Sequence, residues 1–184
     1  MVSMPYNSFM RHFLISAALL LLLSPGLFAD DYTRMIEARV FKLVNAERVK
    51  HGLKPLASSE ELSNIARNHS RDMVRRAYTS HINPDGLDPT ARAKKAGFNT
   101  DKKVKNGIRR GVGENIYEHQ AIMVEDGVHK PIIDPPYTVA EKAIDGWMNS
   151  PGHRKNIMND GYTKVGTGVS VSKDNKVKIT QVFF

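Results

Sequence analysis

The chain has 184 residues, a quarter of them charged, and a formal net charge of +8 at pH 7. It contains no cysteine, which excludes disulfides, thiol catalysis, thiolate metal sites and anchoring through a lipidated cysteine. The positive charge suits anionic envelope material such as lipid head groups, lipopolysaccharide or wall polymers. No recognised nucleic-acid motif accompanies it, so nucleic acid is not an expected partner.

Arg11 and His12 precede an apolar run from Phe13 to Leu23, followed by Ser24-Pro25-Gly26 and Leu27-Phe28-Ala29. A charged start, an apolar stretch too short to span a bilayer and a small residue at its end read as an export signal. Residues 1–29 form that signal, with cleavage after Ala29. No second long apolar run follows, so no membrane span is expected. Residues 30–184 read as one secreted or periplasmic domain, expected to be a monomer.

The first helix of that domain runs from about Thr33 to Val49. Met35, Ile36, Val40, Leu43 and Val44 stripe one face, and His51-Gly52 ends it. Ser58 with Glu61 reads as a capping box for a second helix, with Leu62, Ile65, Ala66, His69 and Met73 on one face. This helix ends near Ala77, and Asn83-Pro84-Asp85-Gly86 is turn chemistry that leaves His81 on the exit loop. Asp88-Pro89 starts a short helix closed by Gly97. From Asn99 to Gly113 the chain is basic and reads as a loop. Gly113 to Tyr117 opens a strand or ends that loop, and Glu118 to Asp134 fits a hairpin-like insertion.

Beyond Pro135-Pro136, Thr138 and Glu141 read as a capping box for a central helix. Val139, Ala140, Ala143, Ile144, Trp147 and Met148 are its apolar stripe. Ser150-Pro151-Gly152 breaks the period, and a short second helix then carries His153 and Arg154. Val165, Val169 and Val171 lie at strand spacing. After the turn Lys173-Asp174-Asn175-Lys176, Val177, Ile179, Gln181 and Phe183 alternate with Lys178, Thr180 and Val182. Helices flank a small antiparallel sheet in chain order, so the class is α+β.

Six stretches stand in order: Ala66 to Met73, Ser80-His81, Gly113-Glu114-Asn115-Ile116, Trp147 to Ile157, Tyr162-Thr163 with Gly166-Thr167-Gly168, and Ile179 to Phe183. In this order they resemble the CAP superfamily, also called SCP/PR-1-like, which includes cysteine-rich secretory proteins, antigen 5 and pathogenesis-related 1 proteins. Ser-Pro-Gly-His-Arg is similar to its bacterial branch. The resemblance implies a three-layer α-β-α sandwich around an antiparallel sheet, with a groove that in eukaryotic members is lined by two histidines and two glutamates able to hold zinc. His81 matches the first histidine and Glu114 the first glutamate. Ser150 stands where the second glutamate would be, and Lys178 where the second histidine would be. His153 lies near the same groove.

The groove set is therefore His81, Glu114, Ser150 and His153, with His81, Glu114 and His153 as the metal candidates. No cofactor is required by the sequence; Zn2+ is the cation the resemblance implies. The structural set is Asn115, Trp147, Gly152 and Gln181. Ser150 reads as the N-cap of the short helix rather than a nucleophile, because Pro151 follows at N1 and no Gly-x-Ser-x-Gly elbow exists. His69 reads as a core histidine, Asp72 as bonding backbone or its neighbours around Arg71, and Asn115 as fixing a turn through its amide. Arg154 reads as a structural ion pair or a cap on carbonyls, and Gly146 as a point of close approach. His119 and His129 are a weaker metal candidate in the insertion. Three functions stay open. The first is a non-enzymatic binding module of the envelope or exterior whose groove holds a lipid, peptide or glycan. The others are a zinc-dependent hydrolase or protease using His81, Glu114 and His153, and a loop-mediated interaction protein with a vestigial groove.

Overall fold

The computed structural model describes residues 25–104, 107–120, 123–125, 128–130 and 134–184. Most of the expected export signal lies outside them. The elements are α1 (Pro25–Lys50), β1 (Ala57–Ser58), α2 (Glu60–Arg75), α3 (Pro89–Lys95), β2 (Asp101–Val104), β3 (Gly107–Arg110) and β4 (Gly113–Gln120). They continue with β5 (Met123–Glu125), β6 (Val128–Lys130), α4 (Pro136–Asn149), α5 (Pro151–Ile157), β7 (Lys164–Val171) and β8 (Lys176–Phe183).

The central sheet has the order β1-β7-β8-β4. Only the short β1 is parallel to its neighbour; β7, β8 and β4 are antiparallel. Helix α2 packs on one face, and α1 and α4 pack on the other. The result is the α-β-α sandwich. Alternation along β8 explains it: Val177, Ile179 and Phe183 join Ile36, Val40 and Val44 of α1 and Val139, Ala143, Ile144 and Trp147 of α4 in the larger core. Val182 turns the other way, onto Leu62, Ile65 and Ala66 of α2.

Gly166 and Gly168 on β7 face α2, and they let its backbone lie directly on the strand. A Cβ at Gly166 would come 2.1 Å from Ser63 N, and one at Gly168 would come 2.0 Å from Arg67 N. The small Ser70 fits the same seam, donating its hydroxyl to Gly168 O and sharing a second hydrogen bond with the Thr180 hydroxyl, each at 2.9 Å.

Several local expectations are corrected. Ser58 lies in β1, paired with Val165, so the cap falls to Ser59, whose Oγ accepts from Leu62 N. At α4 no side chain caps the helix; Pro135 and Pro136 set its start, and Glu141 is engaged by Arg39 at 2.7 Å instead. The basic stretch expected to be a loop contains a hairpin, in which Asp101 pairs with Arg110 and Lys102 with Arg109. Its strands, Asp-Lys-Lys-Val and Gly-Ile-Arg-Arg, carry no apolar alternation, so hydropathy gives no strand signal there. The insertion does contain a hairpin, β5 with β6. Gly146 is a close approach, since a Cβ there would lie 3.2 Å from the Tyr117 ring.

Candidate functional site

The site forms where the loop after α2, strand β4 and helix α5 meet. Glu114 lies near the start of β4 with its side chain 2% exposed. A carboxylate removed from water needs charged or hydrogen-bonding partners on both oxygens, and Glu114 has them. Arg92 of α3 donates Nη2 to Oε2 at 2.5 Å, and the His81 ring lies with Nδ1 2.8 Å from Oε1.

That contact orients His81. A carboxylate oxygen accepts, so Nδ1 carries the hydrogen and Nε2 is the ring nitrogen turned elsewhere. The ring is 45% exposed. Arg92 fixes the loop as well, because its Nη1 donates to His81 O at 2.6 Å and Leu87 O at 2.8 Å. One guanidinium thus holds both the carboxylate and the backbone of the histidine it orients.

His153 approaches from α5, its ring centroid 6.1 Å from that of His81. Burial first, and then the neighbouring His81, push its pKa below the usual histidine value. Its position depends on an amide lattice between β4 and α5. Asn115 Nδ2 donates to His153 O at 3.2 Å, and Asn156 Nδ2 donates to Glu114 O and to Asn115 Oδ1 at 3.0 and 2.9 Å. Asn115 therefore joins a strand to a helix rather than fixing a turn. Trp147 closes the floor by donating Nε1 to Ile116 O at 2.9 Å.

His69 is a buried core histidine, but it is also a neighbour of the site. Its Nε2 donates to Ser80 O at 3.1 Å and lies 3.9 Å from Glu114 Oε1. Burial is the main cause of its lowered pKa, so it is held neutral. Asp72 binds Arg75 and the Tyr78 hydroxyl, at 2.5 and 2.7 Å, and not the Arg71 side as expected.

A family model for the cysteine-rich secretory protein family, CAP, matches residues 41–184. The chain belongs to this family. It is 36% identical over 132 residues to the Bacillus subtilis protein YkwD, covering 72% of this chain and 41% of that one. To the membrane protein YlbC of the same species it is 30% identical over 153 residues, covering 80% of this chain and 36% of that one. An extracellular SCP-domain protein of Bacillus anthracis superposes with a TM-score of 0.64 at 26% identity, covering 88% of this chain and 44% of that one. The chain therefore spans less than half the length of these relatives.

Within this CAP domain the two positions that depart from the implied groove, Lys178 and Ser150, differ in their surroundings. Lys178, opposite Glu118 in the β4–β8 register, is 4% exposed and donates to Glu118 and to the Thr79 hydroxyl. Burial lowers its pKa. Ser150 occupies the N-cap position of α5, as expected, but its hydroxyl makes no cap hydrogen bond. At Gly152 a Cβ would meet nothing within 4 Å, so close packing does not require glycine there. Gln181 is fully buried, with Nε2 3.5 Å from Thr167 Oγ1. Arg154 lies 3.2 Å from His51 Nε2 and forms no ion pair among the described residues.

The donor set does not fit the expected metal. Among the described residues, no group of three or more histidine, aspartate and glutamate side chains is placed to hold an ion. Glu114 is also committed elsewhere: Arg92 engages one of its oxygens as a buried ion pair and His81 the other. In the insertion, His119 is engaged by Asp134 at 2.6 Å, and the His129 side chain lies outside the described residues. Arg92 and Asn156 are site residues that the sequence does not single out. Asn156 lies inside the Trp147 to Ile157 motif with no signal of its own, and Arg92 lies on a short helix visible only through its caps.

A cleft of about 720 Å3 lies alongside the site and shares His69 and Arg92 with it. Its wall also includes Arg71, Asp72, Arg75, Asp85 and Lys95. His81, Glu114 and His153 do not line it. Among the described residues, no helix is long and apolar enough to cross a membrane.

Proposed function

We propose that the protein is an exported, non-enzymatic binding module of the cell envelope or exterior, whose groove at His81 and His153 takes a polar peptide or glycan fragment. The observation that carries this reading is the Arg92–Glu114–His81 chain, which aims an exposed, oriented imidazole outward beside a second one. Imidazole nitrogens can donate or accept, which suits amides and hydroxyls. Neither imidazole hydrogen-bonds a hydroxyl or thiol nucleophile among the described residues, which speaks against covalent catalysis.

The test is histidine-detected NMR titration of the purified protein with short peptides, with peptidoglycan fragments and with phosphatidylcholine vesicles. Peptide or glycan is expected to shift the His81 and His153 signals, and His81→Ala to abolish saturable binding. Response to vesicles alone would replace this ligand class with a lipid. Zinc added without ligand is expected to give no one-site micromolar isotherm. Such an isotherm, lost in His81→Ala and joined by chelator-sensitive cleavage, would restore the hydrolase reading.

A further inference from the structure

A second concentration of unbalanced charge lies away from the histidines, where the β2–β3 hairpin folds over the end of the central sheet. Lys102 and Arg109 are directly opposite one another in the hairpin register, so both side chains project from the same face. Like charges in that relation repel. On the other face Arg110 has an acidic partner, since Asp101 opposes it at 3.6 Å. The repulsion on the inner face is increased by Lys164 at the start of β7. Burial, then Arg109, then Lys164 lower the Lys102 pKa. Among the described residues, no acidic side chain pairs with Lys102, Arg109 or Lys164.

Arg109 is half-buried, with its guanidinium stacked 4.5 Å from the Tyr162 ring centroid and 5.8 Å from that of Phe184. Its Nε and Nη2 atoms are buried and meet no acceptor among the described residues. These two nitrogens form one edge of the guanidinium fork, the edge that takes two oxygens of an oxyanion side by side. Leaving two charged donors unmet is costly, and stacking on a ring does not satisfy them. The nearby acceptors are already engaged: Lys102 donates to Gly161 O and Thr163 Oγ1, and Phe184 O accepts from the amides of Thr163 and Lys164.

We infer that the inner face of the β2–β3 hairpin is a phosphate-binding site, in which the Nε–Nη2 edge of Arg109 takes two phosphate oxygens and Lys102 and Lys164 neutralise the remaining charge. Three cations around one point suit a phosphate, with its three or four oxygens, better than a carboxylate with two. The hairpin is a sheet of its own, paired with no strand of the central sheet. It can therefore shift to admit a ligand without breaking a ladder hydrogen bond. The phosphate belongs to a lipid head group or to a soluble phosphate compound. This site is independent of the histidine groove and stands whether or not the groove binds a peptide or glycan.

The test titrates the purified protein with inorganic phosphate at constant ionic strength, and separately with vesicles of phosphatidylglycerol in phosphatidylcholine. The readouts are the Arg109 side-chain Nε–H resonance and the binding isotherm. Saturable binding is expected, weakened at least tenfold in Arg109→Met and severalfold in Lys102→Met, and unchanged in Lys173→Gln at the exposed hairpin turn. Arg109→Lys, which keeps the charge but loses the fork, is expected to bind more weakly than wild type while remaining folded. Binding of vesicles without free phosphate assigns a lipid head group, and equal binding of both assigns a soluble phosphate. No saturable binding to either, or binding that Lys173→Gln weakens as much as Arg109→Met, would overturn the site.

Discussion

Arg92 closes on Glu114 at 2.5 Å inside the fold, so the carboxylate that orients His81 is itself one half of a buried ion pair. The Arg92 side chain is only 10% exposed. Breaking such a pair from one side leaves an uncompensated buried charge. Glu114→Gln is expected to cost about 3–5 kcal/mol of folding stability, read from urea unfolding. In a double-mutant cycle with Arg92→Met the two losses should not add, with a coupling of about 1–3 kcal/mol. Additive losses would mean that the pair does not act as one unit.

His69 makes stability depend on pH. Its folded pKa lies below the unfolded histidine value of about 6.5, with burial as the main cause. Between those two values the unfolded state binds more protons than the folded one, so stability falls as pH falls through that window and is flat above it. The slope is at most about 1.4 kcal/mol per pH unit for one such group. The half-buried His153 adds a contribution of the same sign. Melting temperatures from pH 7.5 to 5 should therefore drop, and His69→Gln should flatten the drop. A profile unchanged by that substitution would place the linkage elsewhere.

Gly168→Ala would push a Cβ into the α2 backbone, with Arg67 N at 2.0 Å. Neither strand nor helix can move aside locally, so the expected loss is about 3 kcal/mol or more, at the high end for overpacking. Gly152→Ala provides the contrast. Nothing lies within 4 Å of that Cβ, and alanine favours the helix by about 0.5–1 kcal/mol. Thermal melts of the two variants should shift in opposite directions.

Trp147 donates its indole hydrogen to Ile116 O from a position 1% exposed. Trp147→Phe removes that donor and part of the packing beneath β4. Leaving the buried carbonyl unmet costs about 1–3 kcal/mol, and the lost volume adds to this. A fall in the urea midpoint without a change in slope is expected, because the exposed area on unfolding scarcely changes.

Much of the site is legible in the amino-acid sequence. Motif order singles out His81, Glu114 and His153, and the fold brings their side chains together. The groove's chemistry is not legible there. Whether Glu114 is free to bind a cation depends on Arg92, 22 positions earlier along the chain, and no local pattern records that pairing. The two like-charged residues of the hairpin are equally hidden, because a basic stretch has the same sequence signal whether it is a loop or a ladder.

By itself, the sequence determined where the main helices and the C-terminal strands fall, since apolar spacing states which face of each such element must leave water. It also determined the α+β class and the absence of any disulfide. Tertiary structure decided what each charged side chain meets: Arg92 with Glu114, Lys178 with Glu118, and Lys102 across from Arg109. Hydrophobic burial follows from local periodicity, whereas an ion pair depends on the distance between two atoms that only the packing of separate elements sets.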